Sequence, residues 1–324
     1  MWGIPYPSLF FHLRTGGSGS VHDPARRHSF VMSPLIPYFE QPRLSLGPLT
    51  IYAFGIIVAT SVLVGLSLGK RRFEQLGLDP TFGERMAWWI LGGGFLGAHL
   101  FALLLYFPRK VVQDPWSLLR VWEDISSFGG IVGAAIALLL FMRGPGKKLS
   151  AVEKWLYADV AGFVFPIALM IGRIGCALAH DHPGTITSFP LAIRLREPDA
   201  RAYISGVYAN AGRAGELPPD QALSRLGFHD LGWYEFLFLA AVLVPVMVAL
   251  KRHNDRKGVS RPGIFILVFL VMYLPVRFML DFLRVSDARY LALTPAQWSA
   301  ALALLLLPVL FVGLRKRSEP TTPK

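Results

Sequence analysis

Arg173 and Arg277 stand inside long apolar runs of this 324-residue sequence, as do His99 and Tyr52, and Tyr273 and Asp281 flank Arg277 at four-residue spacing. A charged side chain inside an apolar span is costly and therefore points to function. Guanidinium is always ionised and offers forked donors that match phosphate oxygens. The competing explanation is snorkelling, in which an arginine near a helix end merely reaches the interface. Two arginines together with His99, Asp281 and glycine-rich neighbours favour a site, and the ligand that suits them is the phosphate of a lipid. Neutralisation of Arg277 by Asp281 is the preferred role for that carboxylate, ahead of acid–base work.

The elements that must hold these residues are membrane helices. The chain is 53% hydrophobic and 17% charged, against roughly 45–50% and about 25% in soluble domains. That balance argues against a soluble globule, a disordered tail and a collagen-like fibre. The formal charge of +12 could imply nucleic acid, but the basic residues sit between apolar runs and form no stripe, so no nucleic-acid partner is expected. Seven stretches, near 48–68, 87–107, 126–142, 156–179, 232–250, 263–284 and 295–314, approach the roughly 20 helical residues that cross a bilayer core. A lipid-exposed backbone must satisfy itself, and these runs lack the alternation of barrel strands. The expected fold is an all-α polytopic integral membrane protein with seven transmembrane helices and a small irregular extracytoplasmic insertion.

Segments 69–86, 143–155, 251–262 and 315–324 hold four, four, five and four Lys or Arg, whereas the short loops 108–124 and 284–294 hold three and two. Basic loops stay inside, so the N-terminus is expected outside and the C-terminus in the cytoplasm. The reading divides the chain into an extracytoplasmic, partly disordered extension over 1–46, spans one to four over 47–179, a cap over 180–230, spans five to seven over 231–314 and a basic tail over 315–324. Met32 is an alternative start to Met1. At 1.5 Å per residue, Arg173, Arg277, His99 and Tyr52 lie roughly 9, 10, 12 and 6 Å below the outer surface. Four helices thus bring polar groups to one depth. This counts against a transporter, whose site lies near the midplane.

Glycines at 92–94, 97, 129, 130, 133, 172 and 175 predict close packing of spans two, three and four. The single cysteine, Cys176, permits no internal disulfide and reads as a small packing residue. Asp159, near the inner end of span four, reads as structural, and structural pairing is also the favoured role for His229 and Glu235 at the start of span five.

Several motifs resemble one family, the prolipoprotein diacylglyceryl transferases, from about residue 45 to 314. The family's Gly-Arg-x-Gly-Asn and Asn-Gly-Glu stand here as Gly172-Arg173-Ile174-Gly175-Cys176-Ala177-Leu178-Ala179-His180-Asp181-His182-Pro183-Gly184. Both asparagines are replaced, by Cys176 and Ala179, and Asp181 falls where the family has Glu. Gly97-Ala98-His99 with Tyr106, His229 with Tyr234-Glu235, Tyr273-x-x-x-Arg277-x-x-x-Asp281 with Arg284 and Asp287, and Thr294-x-x-Gln297-Trp298 follow the family's order and spacing. Tyr52 falls on its first-span tyrosine pattern. The family's Ser-Phe-His-Gly-Gly is similar to Ser126-Ser127-Phe128-Gly129-Gly130, with Phe128 in place of the histidine often taken as the base.

The resemblance implies transfer of the diacylglyceryl group from phosphatidylglycerol to the lipobox cysteine of a preprolipoprotein signal peptide, with glycerol 1-phosphate leaving, in the bacterial cytoplasmic membrane. It requires no metal and no other cofactor, and a monomer is expected. Arg173 and Arg277 would hold the phosphodiester and stabilise the charge growing on the leaving phosphate. Tyr52, Tyr273, Asp281, Gly129, Gly130 and Gly184 would line the lipid. His99, His180 and His182 are the candidate bases, because free imidazole titrates near neutrality. The His180-Asp181-His182 segment is favoured, with Asp181 orienting one of the rings. A non-catalytic paralogue that binds headgroups or signal peptides is the alternative, prompted by the lost histidine and asparagines.

Overall fold

The computed structural model describes residues 33–318, apart from 48, 122, 259 and 260. The expectations for residues 1–32 and for the end of the basic tail lie outside these residues. The chain opens with a hairpin of β1 (Arg43–Leu46) and β2 (Leu49–Tyr52). Four helices follow: α1 (Ala53–Gln75), α2 (Pro80–Tyr106), α3 (Ser127–Arg143) and α4 (Ala151–Ala179). Next comes a small unit of β3 (Pro183–Thr187), β4 (Ile193–Arg194), α5 (Pro198–Asn210) and β5 (Gly227–Asp230). The chain finishes with α6 (Leu231–Lys257), α7 (Ile264–Leu283) and α8 (Pro295–Ser318).

Among the described residues, α1, α2, α4, α6 and α7 are long and apolar enough to cross a membrane. Helix α3 and the apolar part of α8, Pro295–Pro308, are shorter. All seven coincide with the seven apolar runs. Their ends follow from local chemistry. Asp79 caps α2 by accepting from Thr81 N at 2.8 Å, with Pro80 pre-set for the first turn. Ser126 caps α3 through Gly129 N, and Ser150 with Glu153 closes a reciprocal capping box on α4.

Two expectations change. The first span begins at Ala53, because residues 43–52 pair as a hairpin with Arg43 opposite Tyr52, turning at Gly47 with φ +61°. The unit after α4 is ordered rather than irregular. Its strands run β3-β5-β4, all antiparallel, and α5 packs on them over a core of Ile193, Leu195, Ala200, Ile204, Tyr208 and Phe228. Strands of two to five residues are too short to show a period in sequence.

Helices α2 and α3 cross almost backbone to backbone, as the glycines predicted. A Cβ on Gly133 would lie 2.3 Å from Gly93 O and 2.7 Å from Gly97 Cα, while Gly129 faces Phe101 and Gly97 O in the same crossing. Gly133→Leu is therefore expected to destabilise the protein by about 1–3 kcal/mol or more through overpacking. The check is the thermal unfolding midpoint in detergent, and an unchanged midpoint would contradict the crossing.

Helices α1, α2 and α4 leave a cavity of about 770 Å³ between them. Its wall is mostly apolar, with Phe54, Val58, Val62 and Leu169 among the lining residues. Arg173, Cys176 and Ser127 also line it.

Candidate active site

One aspartate sets the relative register of the two helices that matter most. Asp230 ends β5 and caps α6, accepting from Trp233 N at 2.9 Å. Its other oxygen meets His180 Nδ1 at 2.8 Å. His180 terminates α4 in the left-handed conformation, φ +51°. The end of α4 is thus tied to the start of α6, and Arg173, two turns before that end, faces Glu235, one turn into α6.

Glu235 is the centre of the site. Arg173 Nη2 lies 2.7 Å from Glu235 Oε2, Arg277 Nη1 donates to Oε1, and Tyr273 OH donates to Oε2 at 2.9 Å. Arg277 Nη2 also pairs with Asp281 Oδ1 at 2.8 Å, and Asp281 Oδ2 accepts from Thr294 Oγ1. Gln297 closes the capping turn of α8, its Oε1 accepting from Thr294 N at 2.9 Å. Tyr273, Arg277 and Asp281 stack at i, i+4 and i+8 along one face of α7. Arg173, Glu235, Arg277 and Asp281 are all 0–3% exposed. Charges this deep persist only when paired and hydrogen-bonded, and the pairing here supplies both.

The two arginines do not have the same freedom. Both terminal nitrogens of Arg277 are engaged by carboxylates. Arg173 Nε has no acceptor among the described residues, and Arg173 lines the cavity. Its Nη1 lies 3.3 Å from His182 Nε2 and 3.5 Å from Cys176 Sγ. A buried donor without a partner costs about 1–3 kcal/mol, a penalty that an anionic oxygen brought against it would remove.

The other sequence candidates separate. His99 is fully buried with Nδ1 on Glu123 O at 2.7 Å and Nε2 on Ser117 O at 3.1 Å. His180 has Nδ1 on Asp230 and Nε2 on Phe39 O at 3.1 Å. Both ring nitrogens of each residue face oxygen atoms of the protein, and neither residue lines the cavity. Asp181 meets His182 Nδ1, at the site. Tyr52 ends β2 ahead of α1 and is 46% exposed, outside the ion network rather than buried among polar groups. Gly129 and Gly130 lie in the α2–α3 crossing. Gly184 packs so closely that a Cβ would meet Leu231, His229 and Leu283 O within 2.9 Å.

Asp159 accepts from Phe265 N and Ile266 N at 2.7 and 3.2 Å and so holds the start of α7. His229 Nδ1 meets Tyr234 OH at 2.8 Å. Both are the structural pairings expected. The residue underrated from sequence is Glu235; the signal for it was the His229…Tyr234-Glu235 spacing.

The family described as prolipoprotein diacylglyceryl transferase matches residues 42–313. The phosphatidylglycerol–prolipoprotein diacylglyceryl transferase of Chromohalobacter salexigens is 27% identical over 283 residues, covering 86% of this chain and 91% of its own. The protein of the same name from Symbiobacterium thermophilum is 28% identical over 289 residues, covering 88% and 97%. That of Agrobacterium fabrum is 27% identical over 289 residues, covering 86% and 91%.

Proposed function

The chain belongs to the prolipoprotein diacylglyceryl transferase family, and on that premise we propose that it moves the diacylglyceryl group of phosphatidylglycerol onto the lipobox cysteine thiol of preprolipoproteins, releasing glycerol 1-phosphate. The observation that carries the site is Arg173: a buried guanidinium, its Nε without a partner among the described residues, on a residue that lines a largely apolar cavity. Its unpartnered Nε–H suits a phosphodiester oxygen, and the apolar wall suits the acyl chains. During transfer the phosphodiester monoanion becomes a monoester dianion, and a pre-placed guanidinium stabilises that growing charge without reorganisation.

Arg277 takes a different part from the one first expected. With Glu235 and Asp281 on its two terminal nitrogens, it holds Glu235 in place, and Glu235 in turn orients Arg173. Tyr273 and Asp281 belong to that scaffold. Seven spans with an outside N-terminus and a cytoplasmic C-terminus agree with the distribution of Lys and Arg, and the family implies a place in the bacterial cytoplasmic membrane. In that orientation the unit spanning 183–230 covers the site from outside.

The test uses the purified full-length protein, phosphatidylglycerol and a lipobox peptide, following glycerol phosphate release. Release that depends on both substrates is expected. No release, with lipid and peptide both shown to bind, would refute the enzymatic reading.

A further inference from the structure

The transfer needs a group that takes the thiol proton, because the thiolate is the nucleophile and a free thiol titrates near 8.5. Phe128 cannot supply it; it is 3% exposed and packs with Leu274, Ala296 and Ala300. Near Arg173 and at the outer ends of the helices most titratable groups are already committed. His99 and His180 face acceptors on both nitrogens, while Glu235 and Asp281 are bound to arginines.

His182 is the exception. Its Nδ1 meets Asp181 Oδ1, while Nε2 faces Arg173 Nη1 at 3.3 Å and Ser127 Oγ at 3.4 Å. Guanidinium has donors and no acceptor, so Nε2 is the unprotonated nitrogen, accepting from Arg173 Nη1, and Nδ1–H donates to Asp181. Three of its neighbours, Arg173, Ser127 and Cys176, line the largely apolar cavity. The Cys176, Asp181 and His182 ligand atoms lie within 4.8 Å of one another.

We propose that His182 is the general base of the transfer and that Asp181 is its positioning residue. This rests on the transferase reading above. The lipobox S–H bond breaks and its proton passes to His182 Nε2. Sulfur bonds to the glyceryl carbon that carries the phosphate, and the C–O bond of that carbon breaks. Its electron pair leaves on the oxygen of glycerol 1-phosphate beside Arg173. The imidazolium then returns the proton to the departing phosphate monoester. Base and phosphate-holding cation are thus adjacent, 3.3 Å apart, which puts proton removal and charge stabilisation at one point.

Burial holds the His182 imidazole below its ordinary 6.5, with the nearby Arg284 and Arg173 acting in the same direction and Asp181 opposing. The charged and polar groups around the ring are Asp181, Arg173 and Cys176 on the α4 side, Ser127 from α3, Glu235 from α6 and Arg284 beyond α7. The ring is therefore neutral at pH 7. Activity is expected to fall only as pH drops below 6.5 and the ring protonates.

The test compares wild type, His182→Ala, His182→Gln and Asp181→Asn in the glycerol phosphate assay across pH. Both His182 variants are expected to lose about 10²–10⁴-fold in kcat with little change in KM for phosphatidylglycerol. The acid limb should disappear from the residual rate, and added imidazole should restore part of the rate of His182→Ala. Asp181→Asn removes the charge that raises the imidazole pKa, so its acid limb should move to lower pH. A wild type that releases no glycerol phosphate would refute the transferase reading itself. An active wild type whose His182→Gln variant keeps its rate and acid limb would overturn the assignment of the base and leave that reading intact. An active wild type with no acid limb at all would overturn it as well, without requiring that any variant fold.

Discussion

Arg173→Ala should remove glycerol phosphate release by at least about 10²–10³-fold, the loss typical when a pre-placed donor to a developing negative charge is deleted. Two effects contribute. The phosphate loses the guanidinium whose Nε is otherwise unpartnered, and Glu235 loses one of its two cations. Arg173→Lys separates them. Lysine restores a positive charge for Glu235 but not the planar fork, so it should recover the thermal midpoint while leaving most of the activity lost. Wild-type turnover in either variant would exclude Arg173 from the reaction.

Glu235→Ala is expected to have the largest effect on stability. Removing one partner from a buried ion pair costs about 3–5 kcal/mol, because the remaining charge stays buried without compensation. Here two guanidinium groups would face each other across the vacated position, with only Asp281 near one of them. The readout is the unfolding midpoint in detergent. Glu235→Ala combined with Arg277→Ala should lose less than the sum of the single losses, since residues in one network couple. Strict additivity, or a Glu235→Ala midpoint equal to wild type, would mean that the network does not hold α4, α6 and α7 together.

The helices were readable because long apolar runs have one physical use, and Arg173 and Arg277 stood out because a charge within such a run needs a reason. Other features depend on tertiary pairing that no local pattern encodes. Tyr52 and Ala53 read as one apolar stretch, yet pairing of residues 43–46 with 49–52 places the helix start between them. Glu235 lies near the outer end of a span, where a carboxylate looks interfacial, and only the approach of α4 and α7 makes it a centre. His180 and His182 show the limit most clearly. They are separated by one residue, but the left-handed turn at His180 aims one ring at Asp230 and leaves the other beside Arg173.

The formal charges of Arg173, Arg277, Glu235 and Asp281 cancel. Bare twin arginines would attract a dianion more strongly than a monoanion, so they would clasp the spent headgroup harder than the incoming lipid. A balanced cage confines that bias to the unpartnered edge of Arg173. Each catalytic cycle therefore ends with glycerol 1-phosphate in surroundings that lack surplus positive charge, and its escape into water competes with one spare guanidinium edge rather than two. Compensation thus limits how tightly the site is expected to hold its own by-product.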